Sequence, residues 1–210
     1  MTASPLLSSQ AIVIVDTGCA NISSVRYAVE RLGYDVQVSD QADEIKRADK
    51  VILPGVGSAK HAMKNIRDKG LVEVIQSLEQ PVLGFCLGMQ LMCSQSEEAG
   101  LNENTVIDCI GVIPTQVKAM EVGDLRLPHM GWNTLRFPKA HPIFKGVASD
   151  AYVYFVHSYC APISEYTIAS CEYGQGFSAA IAKDNFIGCQ FHPERSSDIG
   201  SLIIKNFLEM

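Results

Sequence analysis

Cys86 lies between Gly84 and Gly88 in the stretch PVLGFCLGMQ, residues 81–90. A short apolar run leads into it. G-x-C-x-G is the spacing of a nucleophile elbow, a tight strand-to-helix turn, with sulfur where other enzymes place a serine oxygen. A thiol attacks as the thiolate, and a free cysteine has a pKa of about 8.5. The unpaired N–H groups and dipole at the start of the following helix favour that anion. The N–H of Leu87, next after the nucleophile, is the natural donor to an oxyanion. Taken alone, the stretch fits a structural cysteine as well as a catalytic one.

A second cluster supplies a base. CQFHPERS, residues 189–196, contains His192, Pro193 and Glu194. In an extended segment residues i and i+2 point to the same side. Pro193 is expected to keep this segment extended, with Glu194 beside His192 to orient the imidazole. His192 would then serve Cys86 as base and a leaving group as acid, which is triad logic with sulfur, histidine and glutamate. The competing reading is a surface turn carrying an i, i+2 charge pair.

A third stretch, PGVGS at 54–58, follows the apolar run VILP. Its glycines let backbone N–H groups face a ligand, so Val56 is a candidate second oxyanion donor. A phosphate loop or a plain turn is the alternative. A Walker loop is excluded, because no G-K-[ST] follows.

These stretches need a scaffold that delivers them to one place. AIVIV (11–15), VILP (51–54) and PVLGF (81–85) read as buried strands. Ile22, Val25, Val29 and Leu32 mark a helical face ended by Gly33. DVQVS (35–39) alternates as a strand, and QADEIKRA (41–48) reads as a short helix. Helices are also expected from Ala59, Met63 and Ile66, from 71–78, and after Cys86 with Met89, Met92 and Cys93 on its core face. Strand and helix alternate, which predicts an α/β fold with a central, mainly parallel sheet flanked by helices. The second half adds strand-like segments with turns, LRLPHMGWNTLRF, AYVYFVHSYCA, YTIASCEYG, FSAAIA and NFIGCQFHPE. A final helix carries Ile199, Leu202, Ile203 and Phe207. The whole, 1–210, reads as one domain, with residues 1–10 as a mobile lead.

Composition narrows the function classes. A net charge of −6 over 210 residues argues against a nucleic-acid surface. No apolar run reaches the roughly 18 residues of a membrane helix, and MTASPLLSSQ lacks the basic and apolar regions of a secretory signal. The seven cysteines, 19, 86, 93, 109, 160, 171 and 189, form no C-x-x-C. Free thiols in the cytoplasm are the expectation. No His, Cys, Asp and Glu cluster has metal spacing, so neither metal nor cofactor is expected. Of the other histidines, His61 reads as solvated, His141 as a loop residue without a partner, and His129 as either structural or part of a partner interface. His157 is passed over as base, because only His192 has a carboxylate two residues away. Trp132, the single tryptophan, reads by default as core, although Met130-Gly131-Trp132 between polar residues also fits an exposed anchor.

Together, PGVG (54–57), GFCLGMQLM (84–92), LPHMGWN (127–133), YFVHSY (154–159) and GCQFHPERS (188–196) resemble the class I, triad-type glutamine amidotransferases. More narrowly, they resemble the glutaminase subunits of imidazole glycerol phosphate synthases. The resemblance implies a flavodoxin-like amidotransferase domain. It implies attack of Cys86 on the side-chain amide of glutamine, with His192 and Glu194 completing the triad and the N–H groups of Leu87 and Val56 forming the oxyanion hole. Gly55, Gly57, Gln90, Ser158 and Tyr159 would hold glutamine. Asn21, Met130 and Trp132 would face a (β/α)8 cyclase subunit, with which the chain forms a heterodimer. The cyclase uses the ammonia to form imidazole glycerol phosphate and an aminoimidazole carboxamide ribotide in histidine biosynthesis. A backbone flip of PGVG is the expected switch. A stand-alone cysteine hydrolase of the same fold, or a non-catalytic module, are the rivals. Three features depart from the family pattern: Thr17 and Ala20 in DTGCANISS, Phe85 before the nucleophile, and the N-terminal lead.

Overall fold

In a computed structural model of the chain, residues 10–18, 21–99 and 105–210 are described. The expected lead, Cys19 and Ala20 therefore lie almost entirely outside the described residues.

The first half alternates as expected. Strand β1 (Ile12–Val15) leads to helix α1 (Ile22–Glu30), β2 (Gln37–Ser39), α2 (Ala42–Arg47), β3 (Lys50–Leu53), α3 (Ala59–Asp68), α4 (Val72–Gln76), β4 (Val82–Phe85) and α5 (Leu87–Met92). Then come β5 (Cys93–Ser96), β6 (Ile107–Asp108), β7 (Ile113–Ala119), β8 (His129–Thr134), β9 (Tyr152–His157), β10 (Tyr159–Cys160), β11 (Thr167–Tyr173), β12 (Gln175–Lys183) and β13 (Phe186–Cys189). Helix α6 (Ser197–Leu208) follows, and short 3-10 turns occupy Pro142–Phe144 and Pro193–Arg195.

Seven strands form the main sheet in the order β11-β12-β13-β4-β3-β1-β2. β13, β4, β3, β1 and β2 are parallel neighbours, while β12 and β11 are antiparallel. The central parallel strands β1, β3 and β4 are buried along their length because helices cover both faces, while β2 at the edge, Gln37-Val38-Ser39, is partly exposed. Ile12 and Ile14 enter one core with Val25 and Val29 of α1 and Ile203 and Phe207 of α6. Val13 and Val15 enter the other with Ile45 of α2, Met63 and Ile66 of α3, and Met89 of α5.

Two smaller sheets sit beside it. β10-β7-β5-β6 forms one, and the antiparallel pair β8-β9 the other. Val117 and Ile113 of β7 pack into the second core, and Val153 and Phe155 of β9 into the first.

Two local expectations fail. The helix after Cys86 has only six residues, and Cys93 begins β5 instead of sitting on a helical face. Met89, Met92 and Cys93 have helical spacing, but Cys93 pairs in register with Ile113 of β7. Of the segment LRLPHMGWNTLRF, only His129–Thr134 pairs as a strand.

Candidate active site

The parallel strands end at one edge, where ligands of open α/β sheets bind. In adjacent positions, β3 ends at PGVG, β4 at Cys86 and β13 at Gln190–His192. The register sets Gly84 between Leu53 and Gly188, and Cys189 beside Phe85. The Cys86 N–H donates to the Cys189 carbonyl at 2.7 Å.

Cys86 has φ +50° and ψ −109°, a left-handed conformation that a side-chain-bearing residue adopts at a cost. Glycines around the elbow let the backbones close up on it. A Cβ on Gly88 would sit 1.8 Å from the Leu53 carbonyl oxygen, so α5 lies directly on β3. A Cβ on Gly55 would sit 2.7 Å from the Gly88 nitrogen, so PGVG packs against the first turn of α5. Gly57 is needed for a different reason: its φ is +95° and the space around it is open. Val56 and Leu87 are thereby neighbours at the start of α5. As the first residue of the helix, Leu87 has an N–H without an intrahelical acceptor.

His192 and Glu194 meet, but not by extension. Pro193 begins a 3-10 turn, where its missing N–H costs nothing, and His192 caps it. Ser196, fully buried, locks the turn by donating to the His192 carbonyl at 2.7 Å and accepting from the Tyr154 N–H at 2.9 Å. His192 Nδ1 lies 2.8 Å from Glu194 Oε1. The carboxylate fixes the proton on Nδ1, which leaves Nε2 as the working nitrogen. Nε2 is buried and makes no hydrogen bond within the described protein. Burial opposes a charge on His192, but Cys86 and Glu194 outweigh it and raise its pKa to about 10.

A cavity of about 250 Å³ joins these groups. Cys86, Leu87, Gln90, Val56, Gly57, Ser158, Tyr159, His192 and Glu194 line it, as do Asn21, His157 and Arg195. Gln90, almost wholly buried, donates to the Tyr159 carbonyl at 2.9 Å. Gly55 is set behind the wall, against α5. Asn21 belongs to the pocket rim and caps α1 through Ser24 N–H. Met130 and Trp132 stand apart on the outer face of β8, 63% and 52% exposed, so the core reading of Trp132 fails. His141 is not without a partner: its Nδ1 accepts from the Ile143 N–H at 3.3 Å. His61 is exposed, as expected. Phe85 points into the first core behind the elbow.

Sequence reasoning missed two groups. Gln190, fully buried, donates from Nε2 toward Cys86 Sγ at 3.8 Å, and its Oε1 accepts from Gln90 at 3.0 Å. Its place directly after β13, level with Cys86, was the available signal. Glu98 also lines the cavity. Burial raises its pKa to about 7, against the pull of the Ala59 N–H. A half-buried carboxylate facing an amino-acid-sized cavity suits a cationic group brought in by a ligand.

Burial pushes up the thiols of Cys93, Cys109, Cys160, Cys171 and Cys189, which have no place in this cavity. Among the described residues no group of three His, Cys, Asp or Glu is placed to hold a metal. No described helix is long and apolar enough to cross a membrane.

Residues 13–210 match the family model for class-I glutamine amidotransferases. The chain is 61% identical to an imidazole glycerol phosphate synthase subunit HisH of Colwellia psychrerythraea, over 97% of this chain and 95% of that protein. It is 53% identical to the subunit of that name in Vibrio cholerae, over 96% and 100% of the two chains. Among solved structures, a putative GMP synthase protein from Thermoplasma acidophilum superposes with a TM-score of 0.71 at 19% identity, over 95% and 92% of the chains. PurLQS from Thermotoga maritima superposes with a TM-score of 0.69 at 15% identity, over 96% and 99%. These two speak for the fold alone.

Proposed function

We propose, for a chain that belongs to the class-I glutamine amidotransferase family, that it is the glutaminase subunit of an imidazole glycerol phosphate synthase. One observation carries the reading: a His192–Glu194 pair at 2.8 Å presents its free nitrogen to the cavity that holds the strained Cys86. The names and identities of the relatives give the pathway.

In the proposed reaction the Cys86 thiolate attacks the side-chain carbonyl carbon of glutamine. The C=O electron pair moves to oxygen, which the N–H groups of Leu87 and Val56 receive. His192 gives its Nε2 proton to the amide nitrogen, the C–N bond breaks and ammonia leaves a glutamyl thioester. His192 then takes a proton from water. The hydroxide adds to the thioester, the C–S bond breaks, and glutamate and the Cys86 thiolate remain. Glu194 keeps His192 oriented throughout. Gln190, donating toward Sγ, holds the sulfur in place. Glu98 pairs with the α-ammonium of glutamine, and Gln90 with the Ser158–Tyr159 strip forms the opposite wall. Gly55 and Gly57 give PGVG the freedom to turn the Val56 N–H inward when the partner is engaged.

Residues 1–210 act as one domain in this reading. Ammonia passes to a (β/α)8 cyclase, against which Met130 and Trp132 pack in a cytoplasmic heterodimer. Asn21, on the pocket rim, would face the cyclase as well. Glutamate release by the chain mixed with the cyclase and its nucleotide, compared with Cys86→Ala in the same mixture, tests this. Release that needs both partner and Cys86 is the expected result. Release without a partner would favour an independent hydrolase.

A further inference from the structure

Two histidines outside the triad are joined at the pocket, where His157 is part of the lining and His129 lies behind it. His129 and His157 are cross-strand partners at one end of the β8-β9 pair, both buried. His129 Nδ1 lies 3.1 Å from His157 Nε2. His157 Nδ1 lies 2.9 Å from the Tyr159 carbonyl oxygen. At the other end, Asn133 Nδ2 lies 3.3 Å from His129 Nε2 and 3.0 Å from the Glu172 carbonyl oxygen.

The roles in this chain are forced. A carbonyl oxygen only accepts, so His157 carries a proton on Nδ1. As a neutral ring it accepts at Nε2, so His129 donates from Nδ1. His129 then accepts at Nε2 from Asn133. The Asn133 amide is oriented independently, because its nitrogen faces the Glu172 carbonyl and its oxygen accepts from the Thr134 N–H at 2.8 Å. An extra proton on either ring would set two donors face to face. Burial acts in the same sense, holding His129 down to about 4 and His157 down to about 3. Aromatic rings wall the chain in: His129 stacks between Phe155 at 4.8 Å and Tyr173 at 4.1 Å, and Phe177 meets His157 edge-on at 5.0 Å.

The acceptor at the end of this chain is the Tyr159 carbonyl, which also receives Gln90 Nε2. Two donors thus hold one peptide of the strip that lines the cavity. Both nitrogens of His157 are occupied, so it has none left to exchange protons with a substrate.

We propose that His157, its tautomer set by His129 and Asn133, is a positioning residue that fixes the Ser158–Tyr159 strip for substrate binding. This role rests on the glutaminase reading of the cavity. It is tested in the complex with the cyclase and its nucleotide by comparing His157→Gln with His157→Asn. The amide nitrogen of Asn reaches the Nδ1 position, and that of Gln the Nε2 position. His157→Gln is expected to raise the KM for glutamine at least about tenfold, with kcat within about threefold, and His157→Asn to recover most of that loss. Equal KM values for the two variants, or a change confined to kcat, would overturn the proposal. Where either variant fails to fold, ¹⁵N spectra of the wild-type protein decide: both rings must carry their proton on Nδ1 at neutral pH, and an Nε2 proton on either refutes the chain. A wild-type complex that releases no glutamate would strike the glutaminase reading itself.

Discussion

His192 and His157 line the same cavity, and both are buried. They are held in opposite states. His192 faces a carboxylate and a thiol, which raise its pKa to about 10. His157 faces a carbonyl and a neutral ring, and burial takes it down to about 3. The first has one nitrogen without a hydrogen-bond partner, and the second has both nitrogens bonded. Burial alone therefore does not set the state of a histidine. The partner on the far nitrogen does, and at His192 that partner is two residues away in sequence.

The comparison can be broken at several points. The largest effect is expected from His192→Ala, which should lower kcat for glutamine hydrolysis by about 10³-fold or more with the fold intact. Steady-state glutamate release in the assembled enzyme measures it, and a loss below tenfold would return His157 to consideration. Glu194→Gln keeps the shape but no longer charges or fixes the Nδ1 side. Its kcat is expected to fall by about 10²- to 10³-fold, with KM little changed.

Glu98→Gln acts on binding instead, raising the KM for glutamine about 10- to 100-fold at pH 8. Its pH dependence follows from the raised pKa. The native state retains the Glu98 proton from about 4.5 up to about 7, so the stability this gives is present below 4.5 and lost as pH rises through about 7. In the proposed site glutamine pairs with the carboxylate, so its affinity is expected to run the other way. Wild-type KM should rise about tenfold per unit below pH 7, and the variant should lose that slope. The smallest effect is expected from Trp132→Ala. Its exposed ring is not among the groups that line the cavity, so cyclase affinity should fall about tenfold, read by titration calorimetry, while kcat at saturating partner stays near wild type.

Much of this was legible in the chain. β-branched apolar runs between helical faces announce a parallel sheet buried on both sides, and the glycines around Cys86 announce a turn too tight for side chains. The local geometry at His192 was misread. Pro193 is compatible with extension and with the first turn of a helix, and Ser196, buried beneath the turn, decides between them. Met89, Met92 and Cys93 have helical spacing, yet pairing with β7 ends the helix at Met92. Glu98, Gln190 and the His129–His157 chain were not legible, because each acquires its meaning from a residue far along the sequence. Gln190 meets Cys86 only through the β4-β13 register. His129 meets His157 only because β8 and β9 pair.

The proposed reaction stands or falls with Cys86 as the nucleophile and His192 as its base. Acid-quenching the assembled enzyme during turnover of glutamine, followed by mass spectrometry of its peptides, tests this most directly. The expected result is a glutamyl adduct on the peptide bearing Cys86, absent from Cys86→Ala and formed far more slowly in His192→Ala. Glutamate release with no adduct on Cys86, or an adduct that forms at the wild-type rate without His192, would contradict it.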